Sequence, residues 1–329
     1  RSFPLCPDAT SRCQVMLVTC LYLASYTLLL CGFLGLLRFL DALRKRGVLM
    51  PPDRSRRTMR GVRVPLYEQE DPHVEHVFVH YMVFSAEGPW GQGTLDSKHL
   101  VVFIHGLGGL ADQITWGADG GLAQRLVNSG YTVLALDLLG HGHSDSPDVE
   151  VGPDEFLAQI VSLLQRLDVS EPFHMIGFSM GCLLASMYAA KFPSLVKGLV
   201  LDSPFSCHLP LHTVQPVAVL YGSLIQAFFG GGNCHSRALY NTVLHLDGRR
   251  WEPALVSLNN SALPVSVMAC SPMLSNAWSV HRAVRRSHLF VVPFGIGASW
   301  ARGSSEIQRS VRDQILSLLG KSEEHSHTE

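Results

Sequence analysis

The chain has 329 residues, 47% of them hydrophobic, and a formal net charge of −1. That is enough for a membrane segment and one large domain whose core needs neither disulfides nor metals. The balanced charge excludes any global argument for a nucleic-acid or polyanionic partner. The eight cysteines show no paired spacing, which excludes a disulfide framework and suits a reduced compartment.

Residues 1–14 form a short flank. Residues 15–37 (VMLVTCLYLASYTLLLCGFLGLL) are an uncharged, mostly apolar run. At about 1.5 Å per residue it spans a hydrocarbon core of roughly 30 Å, and it exceeds the ~7–15 apolar residues of a cleaved signal peptide. The expectation is one retained transmembrane helix. Arg1 and Arg12 precede it, whereas Arg38, Arg44, Lys45, Arg46, Arg54, Arg56, Arg57, Arg60 and Arg63 follow it. That asymmetry places the following domain on the cytosolic side of a membrane whose identity the sequence leaves open. Residues 38–73 read as a basic linker, equally a stop-transfer signal or a contact for anionic head groups.

Beyond the linker, residues 74–84 (VEHVFVHYMVF) alternate as a strand, and 100–104 (LVVFI) form a continuous apolar run suited to a strand buried on both faces. Residues 122–129 predict a short helix, 132–136 a buried strand, 156–167 a helix, 173–176 a strand and 196–201 another. This alternation predicts a doubly wound, mostly parallel α/β sheet. The rhythm lapses over 203–263, where Pro204, Pro210, Pro216 and Gly230-Gly231-Gly232 suggest a helical lid insertion above the carboxyl edge of the strands. It resumes with strands at 264–269 and 289–292 and a helix at 305–319. The core therefore divides into 74–202 and 264–319, with a polar tail at 320–329 expected to be disordered.

Three motifs leave the carboxyl ends of predicted strands. His105-Gly106-Leu107-Gly108-Gly109 lets backbone N–H groups approach a substrate oxygen. Asp137-Leu138-Leu139-Gly140-His141-Gly142-His143-Ser144 carries two histidines two apart. No carboxylate–histidine cluster of zinc-ligand spacing accompanies them, so no metal and no cofactor is expected. Gly177-Phe178-Ser179-Met180-Gly181 joins a strand to a helix in a turn tight enough to need glycine on both sides of the serine.

In this order and spacing the three motifs resemble the α/β-hydrolase superfamily, over about residues 74–319. The resemblance implies Ser179 as nucleophile and the N–H groups of Leu107 and Met180 as oxyanion donors, with His105, Gly106, Gly177 and Gly181 completing the motifs. An anchor ahead of such a domain is similar to the membrane-bound, lipid-directed branch, implying a lipid-like or ester small-molecule ligand. The superfamily usually has an acid after the strand that follows the lid and a histidine after the last strand. Here 264–302 contains no Asp or Glu, and Ala298 stands where the histidine is expected. Asp202 matches an alternative acid position, and equally could only cap a turn. His208, His212, His281, His288, His325 and His327 are the histidines weighed as substitutes for the base, and the sequence selects none of them. Two readings stay open: a serine hydrolase with a relocated acid and base, or a catalytically impaired protein that binds an apolar ligand or a partner protein.

Overall fold

The computed structural model describes residues 60–65, 76–147, 151–204, 251–270, 274–292, 298–301 and 303–326. Strands β1 (Gly61–Pro65), β2 (His76–Phe84), β3 (Leu100–Ile104), β4 (Thr132–Leu136), β5 (Phe173–Phe178), β6 (Val196–Asp202), β7 (Val265–Cys270) and β8 (His288–Val292) lie in the order β1-β2-β4-β3-β5-β6-β7-β8. β1 pairs antiparallel with β2 and β2 with β4, and every other pairing is parallel. The described α-helices are α1 (Gly121–Asn128), α2 (Pro153–Arg166), α3 (Met180–Lys191), α4 (Trp251–Asn259), α5 (Leu274–Ala283) and α6 (Ser305–Ser326).

The pleat divides the core into two layers. Val102 and Ile104 of β3 and Leu134 and Leu136 of β4 face a layer filled by α2, α3, α4 and α5. Their neighbours Val101, Phe103, Val133 and Ala135 face a second layer filled by α1, α6 and Trp300. Burial on both faces is why β3, β4 and β5 read as unbroken apolar runs. The helix after β3, α1, covers one face, and the helix after the adjacent β5, α3, covers the other. Divergence of that kind leaves a crevice at the carboxyl ends of β3 and β5, where doubly wound sheets bind ligands.

The α/β architecture and the central strands agree with the sequence reading, and four details differ. Residues 61–65, assigned to the linker 38–73, form the edge strand β1; its Arg63 suits an edge that faces water on one side. The lid assignment 203–263 is too long at its end, because Trp251, Ala254, Leu255 and Leu258 of α4 pack in the core. Helix α5, absent from the sequence reading, buries Ala277 and Val280 between β7 and β8 in the chain. The tail assigned to 320–329 is helical as far as Ser326, since Lys321, Glu323 and Glu324 favour helix and Gly320 keeps helical geometry. The rest of the segment expected to form a lid, 205–250, and the expected span, 15–37, lie outside the described residues. Among the described residues no helix is long and apolar enough to cross a membrane.

If α4 belongs to the core, Leu255→Ala, at a fully buried position, will destabilise the fold by about 2–5 kcal/mol in chemical denaturation. Val256→Ala, at a position 53% exposed, will change it by less than about 0.5 kcal/mol.

Candidate active site

Ser179 ends the turn between β5 and α3 with φ 53° and ψ −113°, a left-handed conformation that costs a non-glycine residue about 1–3 kcal/mol. Close packing enforces it. A Cβ on Gly177 would lie 2.5 Å from the Gly181 carbonyl oxygen, and one on Gly181 would lie 2.2 Å from that of Ile104. The turn is pinned from below as well: Ser179 N–H donates to the Asp202 carbonyl at 2.9 Å, and Cys182 N–H donates to the Ser179 carbonyl at 3.1 Å. The buried Cys182 thiol reaches the carbonyls of Gly177 and Asp202 at 3.2 and 3.3 Å. Burial pushes this thiol far above its ordinary range, helped by the nearby Asp202 charge, so it is a packing group rather than a nucleophile. Ser179 itself is half-buried, and no described residue hydrogen-bonds its hydroxyl.

The loop after β3 lies directly beside the serine: a Cβ on Gly106 would fall 2.9 Å from Ser179 Cβ. Its shape is held by His105. The Nδ1–H donates to the Gly106 carbonyl at 2.7 Å, and Nε2 accepts from Leu138 N–H at 3.0 Å. That pairing fixes the neutral tautomer, and burial keeps the imidazole below its ordinary pKa despite Asp137 nearby. His105 is thus the support of the loop that carries Leu107. Met180, the first residue of α3, has an N–H without an intrahelical acceptor.

Asp202, at the carboxyl end of β6, is fully buried and does more than cap a turn. Its Oδ2 accepts Ser299 N–H at 2.7 Å, and its Oδ1 accepts the hydroxyls of Ser299 and, at 3.1 Å, Ser203. The sequence reading set Ala298 against the expected base, whereas the structure turns the neighbouring Ser299 side chain onto the carboxylate. Trp300 then anchors this segment, edge-on to Phe103 and Phe178 with ring centroids 5.7 Å apart in each case. Burial raises the Asp202 carboxyl to about 6, against the opposing hydrogen bonds from Ser299 and Ser203.

No described histidine is bonded to Ser179. His288 begins β8 and is exposed at the opposite, amino edge of the sheet. His281, on α5, engages Ser287 Oγ at 2.8 Å. His141 bonds the Leu139 carbonyl at 2.9 Å and orients its own loop. His325 falls in the last turns of α6, and His208, His212 and His327 lie outside the described residues.

The expectation that no histidine–carboxylate cluster accompanies His141 and His143 is corrected. His80 of β2, a position the sequence reading passed over, joins Asp137 and His143, and one ligand atom from each lies within 4.8 Å of the others. A separation of 57 residues between His80 and Asp137 hides the cluster from any local motif. Asp137 is buried, yet the hydrogen bonds from His143 and His80 outweigh burial and hold its carboxyl far below the usual range.

The family profile described as alpha/beta hydrolase fold matches residues 99–237. A thermophilic esterase from Thermogutta terrifontis superposes with a TM-score of 0.59 at 15% identity, over 79% of this chain and 99% of the esterase. Rv0554 from Mycobacterium tuberculosis gives 0.58 at 17% identity, over 79% and 99%. Among sequence relatives, the (lyso)-N-acylphosphatidylethanolamine lipase of Mus musculus is 32% identical over 120 residues, 35% of this chain and 32% of the lipase. An uncharacterized protein of Mycobacterium bovis is 38% identical over 104 residues, 31% of this chain and 28% of that protein. Each of these sequence matches takes in less than a third of the relative's own length. Residues 99–237 thus match the alpha/beta hydrolase fold family, and the described residues have the fold of the solved proteins they superpose on.

Because Asp202 titrates at about 6 in the folded chain against an ordinary 3.8, folding holds its proton more tightly than the unfolded state does. Its contribution is therefore fully present below about pH 4 and lost as pH rises through 6. Denaturation of wild type against Asp202→Asn will show wild type gaining on the variant by on the order of 3 kcal/mol as pH falls across that window.

Proposed function

We propose that the chain is a membrane-anchored serine hydrolase acting on an acyl ester, most naturally one of a lipid. The observation that carries this reading is Ser179, held at positive φ between β5 and α3 with its hydroxyl unbonded among the described residues and the Gly106 loop against its Cβ. Strain of this kind persists only where surrounding packing imposes it, and it clusters at reactive positions. In this reading Ser179 Oγ attacks the ester carbonyl. The N–H groups of Leu107 and Met180 hold the oxyanion, and the alkoxide leaves with a proton. Water then releases the acid from the acyl-serine. The Mus musculus relative named as a lipase and the esterase with the same fold support the choice of substrate class. No cofactor is needed. The anchor is residues 15–37, with the hydrolase domain on the cytosolic side beyond the basic flank.

Proton transfer is the open requirement of this chemistry. Asp202 is in place to orient an imidazole, but Ser299 occupies it. The reading therefore takes its base from 205–250, which contains His208, His212, His235 and His245. The same Asp202–Ser299 pair favours a second reading, a catalytically impaired protein whose crevice binds an apolar ligand or a partner. Loss of the base from such a triad costs up to about a millionfold in turnover, leaving roughly 10³–10⁴ over water from the oxyanion site and binding.

A fluorophosphonate probe will label the folded chain, and Ser179→Ala will abolish labelling. Absence of labelling in folded wild type removes the hydrolase reading and leaves the second. In the wild-type background, Ser299→His, or Ala298→His where bulk at 299 is not tolerated, will place an imidazole on Asp202. Hydrolysis of a p-nitrophenyl ester will then rise by about 10²–10⁴-fold if wild type lacks a base, and by little if 205–250 already supplies one.

A further inference from the structure

The cluster of His80, Asp137 and His143 is not used by the chemistry at Ser179, and its construction goes beyond a buried ion pair. His80 lies on β2 and Asp137 immediately follows β4, while His143 comes from the loop beyond. His80 Nδ1 is 2.8 Å from Asp137 Oδ2 and His143 Nδ1 is 3.6 Å from the same oxygen. The two imidazole rings lie with centroids 4.7 Å apart, tilted 51° to one another. A tetrahedral zinc ion with bonds of roughly 2.0–2.2 Å separates its ligand atoms by about 3.4 Å. The observed separations straddle that value, so modest rotations of two rings open the site.

The backbones that carry these ligands are already locked together. Asp137 N–H donates to the His80 carbonyl at 3.0 Å, and His80 N–H donates to Ser144 Oγ at 3.0 Å. The Ser144 hydroxyl in turn donates to the Asp137 carbonyl at 2.6 Å. Asp137 Oδ1 is held by Ala111 N–H at 2.6 Å and Oδ2 by His143 N–H at 2.9 Å, the outer hydrogen bonds that orient a ligating carboxylate. A second carboxyl group lies in the same field. Asp112, beside Ala111, has its Oδ1 buried with no hydrogen-bond partner among the described residues. A cation between the imidazoles would offset repulsion between these two carboxylates. The side chain of His143 is 26% exposed, leaving a way in from solvent.

We infer that His80, Asp137 and His143 form a site for one zinc-like divalent transition ion, a clamp tying β2 to the loop after β4 and, through Ala111, to the turn beyond the Gly106 loop. Two imidazoles and one carboxylate form an N/O donor set suited to zinc or cobalt rather than to calcium or magnesium. Binding requires the Nδ1 proton of His80 to leave that nitrogen, so that the neutral ring presents a lone pair.

The test is titration of chelator-treated full-length chain with Co²⁺ followed by Zn²⁺ competition, in wild type and His143→Ala. Wild type will take up one cobalt ion with the visible bands of a four- or five-coordinate N/O site and no thiolate charge-transfer band. Zinc will displace it, and His143→Ala will weaken binding by about tenfold or more. His143→Gln, which keeps a polar side chain at the same place, serves where the alanine variant fails to fold. No stoichiometric uptake, a thiolate band, or equal affinity in wild type and variant overturns the assignment. Ser179→Ala will bind the ion as wild type does, which separates this site from the reading of Ser179.

Discussion

The constraint on which the rest of the site depends is the close approach of the β5–α3 turn to the end of β3. Gly181 lies against the carbonyls of Ile104 and His105, and Gly177 lies against Gly181 itself. With no room for side chains on either flank, the intervening residue is driven to φ 53°. The same approach brings the Gly106 loop against Ser179 and aims the start of α3 into the crevice between β3 and β5. Backbone packing thus places a hydroxyl, two candidate N–H donors and a helix N-terminus together before any titratable group contributes.

Two buried carboxylates at the same edge of the sheet show how differently partners act on one chemistry. Asp137 and Asp202 are both fully desolvated, and each accepts backbone and side-chain hydrogen bonds. Asp137 also faces His80 and His143, groups that can carry positive charge, and it is held ionised. Among the described residues Asp202 faces the N–H and hydroxyl of Ser299 and the hydroxyl of Ser203, and burial prevails. An acid meant to stabilise an imidazolium benefits from remaining ionised at neutral pH. With a serine as its partner, Asp202 titrates close to that range instead.

The sequence made the centre of the sheet legible because β3, β4 and β5 are buried on both faces, and a run such as LVVFI has few other uses. The turn at Ser179 was equally visible, since its glycines are required by contacts with adjacent segments. β1 escaped because a short edge strand containing Arg63 looks like the basic flank before it. α5 escaped because LSNAWSVHRA carries too few apolar residues to show a helical stripe. The two long-range pairings were out of reach for a different reason. Ser299 on Asp202 and His80 on Asp137 join residues 97 and 57 positions apart, and only the assembled sheet brings them together. The absence of a histidine at Ala298 could be read from the sequence; the serine that takes its place on the carboxylate could not.

In the proposed function Ser179 is a nucleophile set by packing, with proton transfer as its weak point. A base that is poorly placed slows release of the acyl group at least as much as its attachment, so a covalent acyl-serine should build up. Intact-mass measurement of the chain after brief exposure to a p-nitrophenyl ester, followed by peptide mapping, tests this directly. One acyl group per chain on the peptide containing Ser179 is the expected result. An unmodified chain, or an acyl group carried on a different residue, would contradict it.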